Sequence, residues 1–265
     1  MGAYPAVRPL RPRRAEADNG TWLLIFPHAG GSPSAYRRLA AEVSGWCSTW
    51  AVHYPGRQDR IGMRAPMTMD ELIDDVTAGV NLLQPPRHLL FLGHSMGAYV
   101  AYETALRMQG TAWEPQCLIV SAALAPTSLA RADLSTTNKA IMSTALKDLS
   151  ALPEGLSATE LLAPVRSDLA LLRDYSRAAT ASRVRCPLLA VVGDTDALVD
   201  AAGAAPWQER TTAHARHTSL PGDHFYFQEA PARLARLLRG TAALTADAEV
   251  MVHEYPQYPG QGGRR

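Results

Sequence analysis

Five short apolar runs set the frame for this chain: WLLIF (22–26), TWAVHYPG (49–56), HLLFLG (88–93), CLIVSA (117–122) and PLLAVVGD (187–194). Each is the length of one strand and none alternates with polar residues, the pattern of strands buried on both faces. Longer stretches of helical period lie between them. In MTMDELIDDVTAGVNLLQ (67–84), apolar residues at 69, 72, 73, 76, 80 and 83 fall on one helix face. SAYRRLAAEVSG and the residues after HLLFLG read the same way. A last strand is expected at 215–219, followed by a helix over QEAPARLARLLRG. Strand and helix in regular alternation predict an α/β fold with a mostly parallel sheet.

The rhythm stops between about 125 and 182, where STTNKAIMSTALKDLS and TELLAPVRSDLALLRDYSRAAT both carry helical patterns. We read this stretch as a helical lid over the C-terminal edge of the sheet, the edge at which open α/β folds bind ligands. Residues 1–20 and 241–265, rich in Pro, Gly and Arg, are expected to be flexible tails around one domain at 21–240.

Composition excludes several classes of function. Lys and Arg total 26 against 25 Asp and Glu among 265 residues, a net charge of +1, which argues against a nucleic-acid coat. No apolar run reaches the roughly 18 residues of a membrane span. The first twenty residues lack the apolar core of a secretory signal. Cys47, Cys117 and Cys186 are odd in number and widely spaced, as expected of reduced, buried thiols in a cytoplasmic protein without a structural zinc site.

The chemistry centres on Gly93-His94-Ser95-Met96-Gly97, a GxSxG placed between a strand and a helix. In that setting small residues on each side allow a sharp turn that exposes the serine hydroxyl as a nucleophile, beside the positive end of the helix dipole. A serine nucleophile needs a base and an acid, in the chain order Ser, acid, His. His224 in LPGDHFYF follows the last strand and is the expected base. Asp194 and Asp196 in GDTDALVD both follow the fifth strand and are both candidate acids, while Asp223 adjoins His224 too closely to reach back to its ring. Two backbone N–H groups are expected to hold an oxyanion: Met96, just after the serine, and Ala29 in the PHAGG loop. His28, His53, His88, His94, His214, His217 and His253 are expected to be structural or exposed.

With these pieces placed, the chain resembles the type II thioesterases, α/β-hydrolases that serve polyketide synthases and nonribosomal peptide synthetases. The resemblance rests on FPHAGGSPSAYRRL, YPGRQDR, GHSMGAYVAYE, RCPLLAVVGDTDALV and LPGDHFYF, in the family's order, over roughly residues 21–239. FPHAGG with YPGRxxR is far more specific than GHSMG alone. The resemblance implies a triad of Ser95, Asp196 and His224, since the family's acid is the second in GDxD, with Ala29 and Met96 as oxyanion donors. It implies hydrolysis of acyl thioesters on acyl or peptidyl carrier proteins, with removal of stalled or aberrant acyl groups. Phosphopantetheine enters only as part of the substrate, and neither cofactor nor metal is implied. A monomer is expected. Arg57, Arg60 and Arg64, or Arg166, Arg173, Arg177 and Arg183, are candidate contacts for an acidic carrier, with Arg57 alternatively an anchor for its own turn.

Two positions depart from the family pattern. SAALAP (121–126) lacks the glycine and basic residue usual before Ala-Pro, and the histidine loop reads Gly-Asp-His rather than Gly-Gly-His. Other readings of the same residues are a broad carboxylesterase or lipase, a product-releasing thioesterase or cyclase, and a hydrolase-like binding protein with a dead site.

Overall fold

The computed structural model describes residues 5–10, 20–132, 158–178 and 182–253, with side chains for 162–176 and 182–243 in the last two ranges. Seven strands form one sheet in the order β1-β3-β2-β4-β5-β6-β7. They are β1 (Val7–Pro9), β2 (Thr21–Phe26), β3 (Ser48–Val52), β4 (His88–His94), β5 (Cys117–Ser121), β6 (Leu188–Gly193) and β7 (Ala215–Leu220). All neighbours pair in parallel except β1, which runs antiparallel to β3.

The unbroken apolar runs are explained by the two layers they fill. Trp22, Leu24 and Phe26 of β2 and Leu89 and Phe91 of β4 point into one buried cluster. Leu23, Ile25, Leu90 and Leu92, their alternate neighbours, point into the other. Successive side chains of a strand face opposite ways, so a strand covered on both faces must be apolar throughout. The edge strand β7 is different: Arg216, His217 and Ser219 are exposed on it, and charge on an edge discourages pairing with other chains.

The longer helices are α1 (Arg37–Val43), α2 (Met69–Asn81), α3 (Met96–Met108), α4 (Ala158–Ala178) and α5 (Pro231–His253). α2 starts at Thr68, whose side chain accepts from Glu71 N–H at 3.1 Å, and buries Met69, Leu72, Ile73, Val76 and Val80, the face expected from the spacing. α4 occupies the second helical pattern of the expected lid. It packs on α2 and α3 and donates from Tyr175 Oη to Glu103 of α3 at 2.7 Å. The helix expected over 135–150 lies outside the described residues.

Both tail expectations need correction. Val7, Arg8 and Pro9 pair with Val52, Ala51 and Trp50, and His53 N–H donates to Ala6 carbonyl at 2.7 Å. The strand stays because Ala6 and Val7 are buried and α2 comes close beneath them: a Cβ at Gly79 would lie 2.7 Å from Ala6 Cβ. At the other end α5 runs on to His253, past the expected boundary at 240, because TAALTADAEVMVH holds neither Gly nor Pro to end the helix. The three cysteines are free and buried, as expected.

Candidate active site

The end of β4 and the start of α3 form the turn that carries Ser95. Ser95 takes φ 53 and ψ −122, a conformation that costs a non-glycine residue of order 1–3 kcal/mol. The surrounding structure holds it there. Ser95 N–H donates to Ser121 carbonyl of β5 at 2.8 Å. The flanking glycines let three segments meet: a Cβ on Gly93 would lie 2.2 Å from Gly97 carbonyl oxygen, and one on Gly97 would lie 2.0 Å from Phe26 carbonyl oxygen. Neither position has room for a methyl group.

Asp196 and His224 come from the loops after β6 and β7, the same edge of the sheet. His224 Nδ1 lies 2.8 Å from Asp196 Oδ2. The carboxylate itself is fully buried, and its Oδ1 accepts from Leu198 N–H at 2.8 Å and Val199 N–H at 3.2 Å. His224 Nε2 is buried without a hydrogen-bond partner among the described residues, so the structure joins acid and histidine but holds no hydrogen bond from that nitrogen to Ser95. Such links are commonly long before substrate binds.

Asp194, the other candidate acid, shapes the turn. Its Oδ1 accepts Gly222 N–H at 2.9 Å, while Asp194 N–H and Thr195 N–H donate to Leu220 and Gly222 carbonyls. These bonds fasten the acid loop to the histidine loop. Gly193 allows the approach, since a Cβ there would meet Asp223 carbonyl oxygen at 2.3 Å. Asp223 accepts from Phe225 N–H at 2.7 Å within its own turn.

Neighbouring imidazoles are kept neutral. Burial, with His224 and Arg57 nearby, pushes the pKa of His28 down to about 3. Burial, then His224 and His28, holds His94 well below 6.5. His94 Nδ1 lies 2.9 Å from Ser121 Oγ. Phe225 covers the group, with its ring centroid 5.0 Å from His28, 5.5 Å from His94 and 5.1 Å from His224.

In the PHAGG loop, the N–H groups of His28, Gly30 and Gly31 donate to Tyr36 Oη (3.2 Å), Asp168 Oδ2 (2.7 Å) and His28 carbonyl (2.8 Å). Ala29 N–H, between them, takes no partner among the described residues. Met96 N–H opens α3, where the helix offers no acceptor. Asp168 is the site residue that sequence reasoning missed. Its partner Arg57 is 111 residues away, and the helical pattern of α4 gives no sign of which polar residue faces inward.

Two candidate carrier contacts are corrected. Arg57 and Arg60 are 7% and 3% exposed; Arg57 pairs with Asp168 and Arg60 with Asp75. Both anchor the YPGRQDR turn, as the alternative reading of Arg57 expected. Arg64 pairs with Glu71 at the surface. Arg166, Arg173 and Arg183 are exposed, while the Arg177 side chain lies outside the described residues. The departure at SAALAP has a backbone signature: Ala122 takes φ 48, a left-handed conformation that is strain-free only for glycine.

Known proteins agree with this geometry. A family model described as a thioesterase domain matches residues 21–241. The chain is 32% identical over 234 residues to thioesterase TesA of Mycobacterium leprae, covering 82% of this chain and 90% of that one. It is 30% identical over 237 residues to thioesterase PikA5 of Streptomyces venezuelae, covering 82% and 84%. Among solved structures, RedJ, a thioesterase from the prodiginine pathway of Streptomyces coelicolor, superposes with a TM-score of 0.69 at 30% identity, covering 88% and 91% of the two chains. The type II thioesterase BorB of the borrelidin cluster gives 0.71 at 27% identity, covering 92% and 98%. The chain belongs to the thioesterase domain family and groups with its type II thioesterases.

Proposed function

We propose that the protein hydrolyses acyl thioesters on the phosphopantetheine arm of acyl or peptidyl carrier proteins, clearing stalled or aberrant acyl groups during polyketide or nonribosomal peptide synthesis. The observation that carries it is the buried Asp196–His224 pair, 2.8 Å apart, on the sheet edge that also holds the strained Ser95. Asp196 keeps the Nδ1 proton in place, which leaves Nε2 to act as base. Ser95 Oγ bonds to the thioester carbon as Nε2 takes its proton, and the oxyanion sits between the Ala29 and Met96 N–H groups. The C–S bond then breaks, and His224 returns the proton to the leaving thiolate. Water, deprotonated by the same nitrogen, attacks the acyl-serine ester; the acid leaves and Ser95 regains its proton. Protein groups and water perform every step.

The carrier as partner is supported by the neighbours' names, which include a type II thioesterase of the yersiniabactin NRPS/PKS pathway and a prodiginine-pathway thioesterase. Exposed Arg166, Arg173 and Arg183 suit an acidic carrier. No helix among the described residues is long and apolar enough to cross a membrane. A monomer in the cytoplasm completes the proposal. The test is competition between an acyl-carrier-protein thioester, the matched oxygen ester and a small soluble thioester. Carrier-dependent thioester turnover with free acid as product is expected. Faster turnover of the oxygen ester without any carrier effect would make the chain a general esterase, and a cyclised product would make it a releasing enzyme.

A further inference from the structure

One buried carboxylate fastens α4 to the loop that carries Ala29. Asp168 is 1% exposed and is held from two sides. Arg57 donates to it in a fork, Nη1 to Oδ2 at 2.7 Å and Nη2 to Oδ1 at 2.6 Å. Gly30 N–H donates to the same Oδ2 at 2.7 Å. Arg57 Nη1 also reaches Gly31 carbonyl at 3.4 Å, and the guanidinium lies 5.1 Å from the Tyr54 ring. Tyr54 Oη donates to Pro27 carbonyl at 3.0 Å. The first and last residues of the loop thus both lead to this ion pair. A second contact follows from apolar packing. Gly30 takes φ 69, and a Cβ there would lie 2.2 Å from Val165 Cγ2, one turn of α4 before Asp168.

Stability alone does not explain such an arrangement. A buried ion pair loses in desolvation much of what it gains in attraction, and apolar side chains of similar volume commonly do as well. What the carboxylate does that they cannot do is fix the direction of a backbone N–H. With His28, Gly30 and Gly31 N–H groups all committed inside the protein, the orientation of Ala29 N–H is set by its neighbours.

We infer that Asp168 is a positioning residue for the oxyanion hole: through Gly30 and Arg57 it makes the aim of Ala29 N–H depend on α4 being seated. The hole is complete only while the helix is docked, so α4 and the catalytic loop act as one unit. This rests on Ala29 being an oxyanion donor, as proposed above.

The test compares Asp168→Asn and Gly30→Ala with the wild type on a small soluble thioester. It also measures inhibition by a trifluoromethyl ketone analogue, whose tetrahedral adduct on Ser95 carries an oxyanion. Asn cannot offer both oxygens to the Arg57 fork; Gly30→Ala leaves the ion pair intact and pushes on Val165, so it covers the case in which Asp168→Asn does not fold. Loss of one oxyanion donor lowers kcat by about 10²–10³-fold. We expect a fall of about 10²-fold in kcat, KM within about threefold of wild type, and ketone affinity weakened in proportion to kcat/KM. In Gly30→Ala/Val165→Ala the facing Cγ2 is gone, and at least part of both losses should return. Folded single variants with normal kcat and normal ketone affinity would overturn the inference, as would a kcat loss with unchanged ketone affinity. Ser95→Ala run in parallel separates the two claims. Turnover surviving in Ser95→Ala defeats the site reading itself, whereas an inactive Ser95→Ala beside an unimpaired Asp168→Asn defeats only the positioning role.

Discussion

Replacing Asp196 by Asn exchanges one oxygen for an NH₂ group, and the surrounding hydrogen bonds dictate where that group goes. Oδ1 accepts from two backbone N–H groups, Leu198 at 2.8 Å and Val199 at 3.2 Å, while Oδ2 faces His224 Nδ1 at 2.8 Å. Turning the new NH₂ toward the backbone would set donors against donors and leave two buried bonds unmade, at about 1–3 kcal/mol each. The amide carbonyl therefore stays with the backbone, and the NH₂ faces the imidazole. Nδ1 must then accept, the ring proton moves to Nε2, and that nitrogen can no longer take the proton of Ser95. Holding the wrong tautomer in a serine triad costs about 10⁴-fold in kcat, which is about 5.4 kcal/mol in activation free energy. Asp194→Asn is the control. Its amide oxygen can still accept Gly222 N–H, so activity should stay within about tenfold of wild type. The assay is thiol release from an acyl-N-acetylcysteamine thioester, with thermal unfolding of each variant measured alongside. A folded Asp196→Asn within tenfold of wild type would refute the tautomer argument, and an Asp194→Asn equally impaired would shift the acid to the other residue.

Further outcomes follow from the same structure. Ser95→Ala should abolish acid release yet keep the wild-type unfolding midpoint or exceed it, because no side-chain hydrogen bond to a described residue is lost; an unchanged rate contradicts the nucleophile assignment. Gly97→Ala places a methyl 2.0 Å from Phe26 carbonyl oxygen; a cost of about 3 kcal/mol or more is expected in urea unfolding, and a stable, fully active variant would contradict the close approach of α3 to β2. His28, His53 and His94 all have pKa values depressed in the fold, the first two to about 3 and about 4. Above the unfolded value near 6.5 both states are neutral, so stability is flat in pH. Below it the unfolded chain binds protons that the fold refuses, and stability should fall by up to about 4 kcal/mol per pH unit for the three together; equal urea midpoints at pH 7.5 and 5.5 would rule this out. Arg166→Ala should raise KM for an acyl carrier protein and leave the small thioester unaffected, and equal change on both substrates would argue against a carrier contact.

Much of the molecule was legible before any coordinates because its strands are buried on both faces. Runs such as HLLFLG can be little else between helical patterns, and the elbow announces itself through two glycines that steric contact makes obligatory. Chain order and position after strands pointed to His224 and left Asp194 and Asp196 both open as the acid; the resemblance, not the residues, chose Asp196. β1 was not legible: it is three residues long, lies among Pro and Arg, and is held where Ala6 fits against Gly79 of α2. Asp168 was hidden for a related reason. Which face of α4 turns inward depends on where Arg57 sits, and nothing local in either segment records the other. The same distance left Arg60 among the candidates for a binding surface and Arg57 open between such a contact and an anchor of its own turn, since a buried arginine reads like an exposed one until its carboxylate is found.

Ser95, Asp196 and His224, the proposed reacting groups, follow the ends of β4, β6 and β7, and the loop with Ala29 follows β2. Parallel neighbours cannot be joined by a tight turn, so each of these ends arrives by a separate crossover through the layers of helix. No short contiguous fragment contains the site, and no sheet lacking β2, β4, β6 or β7 can have it. Turnover is therefore a strict reporter of the finished fold: during refolding, catalytic activity should return with the last strand to dock and lag behind any spectroscopic signal from the helices.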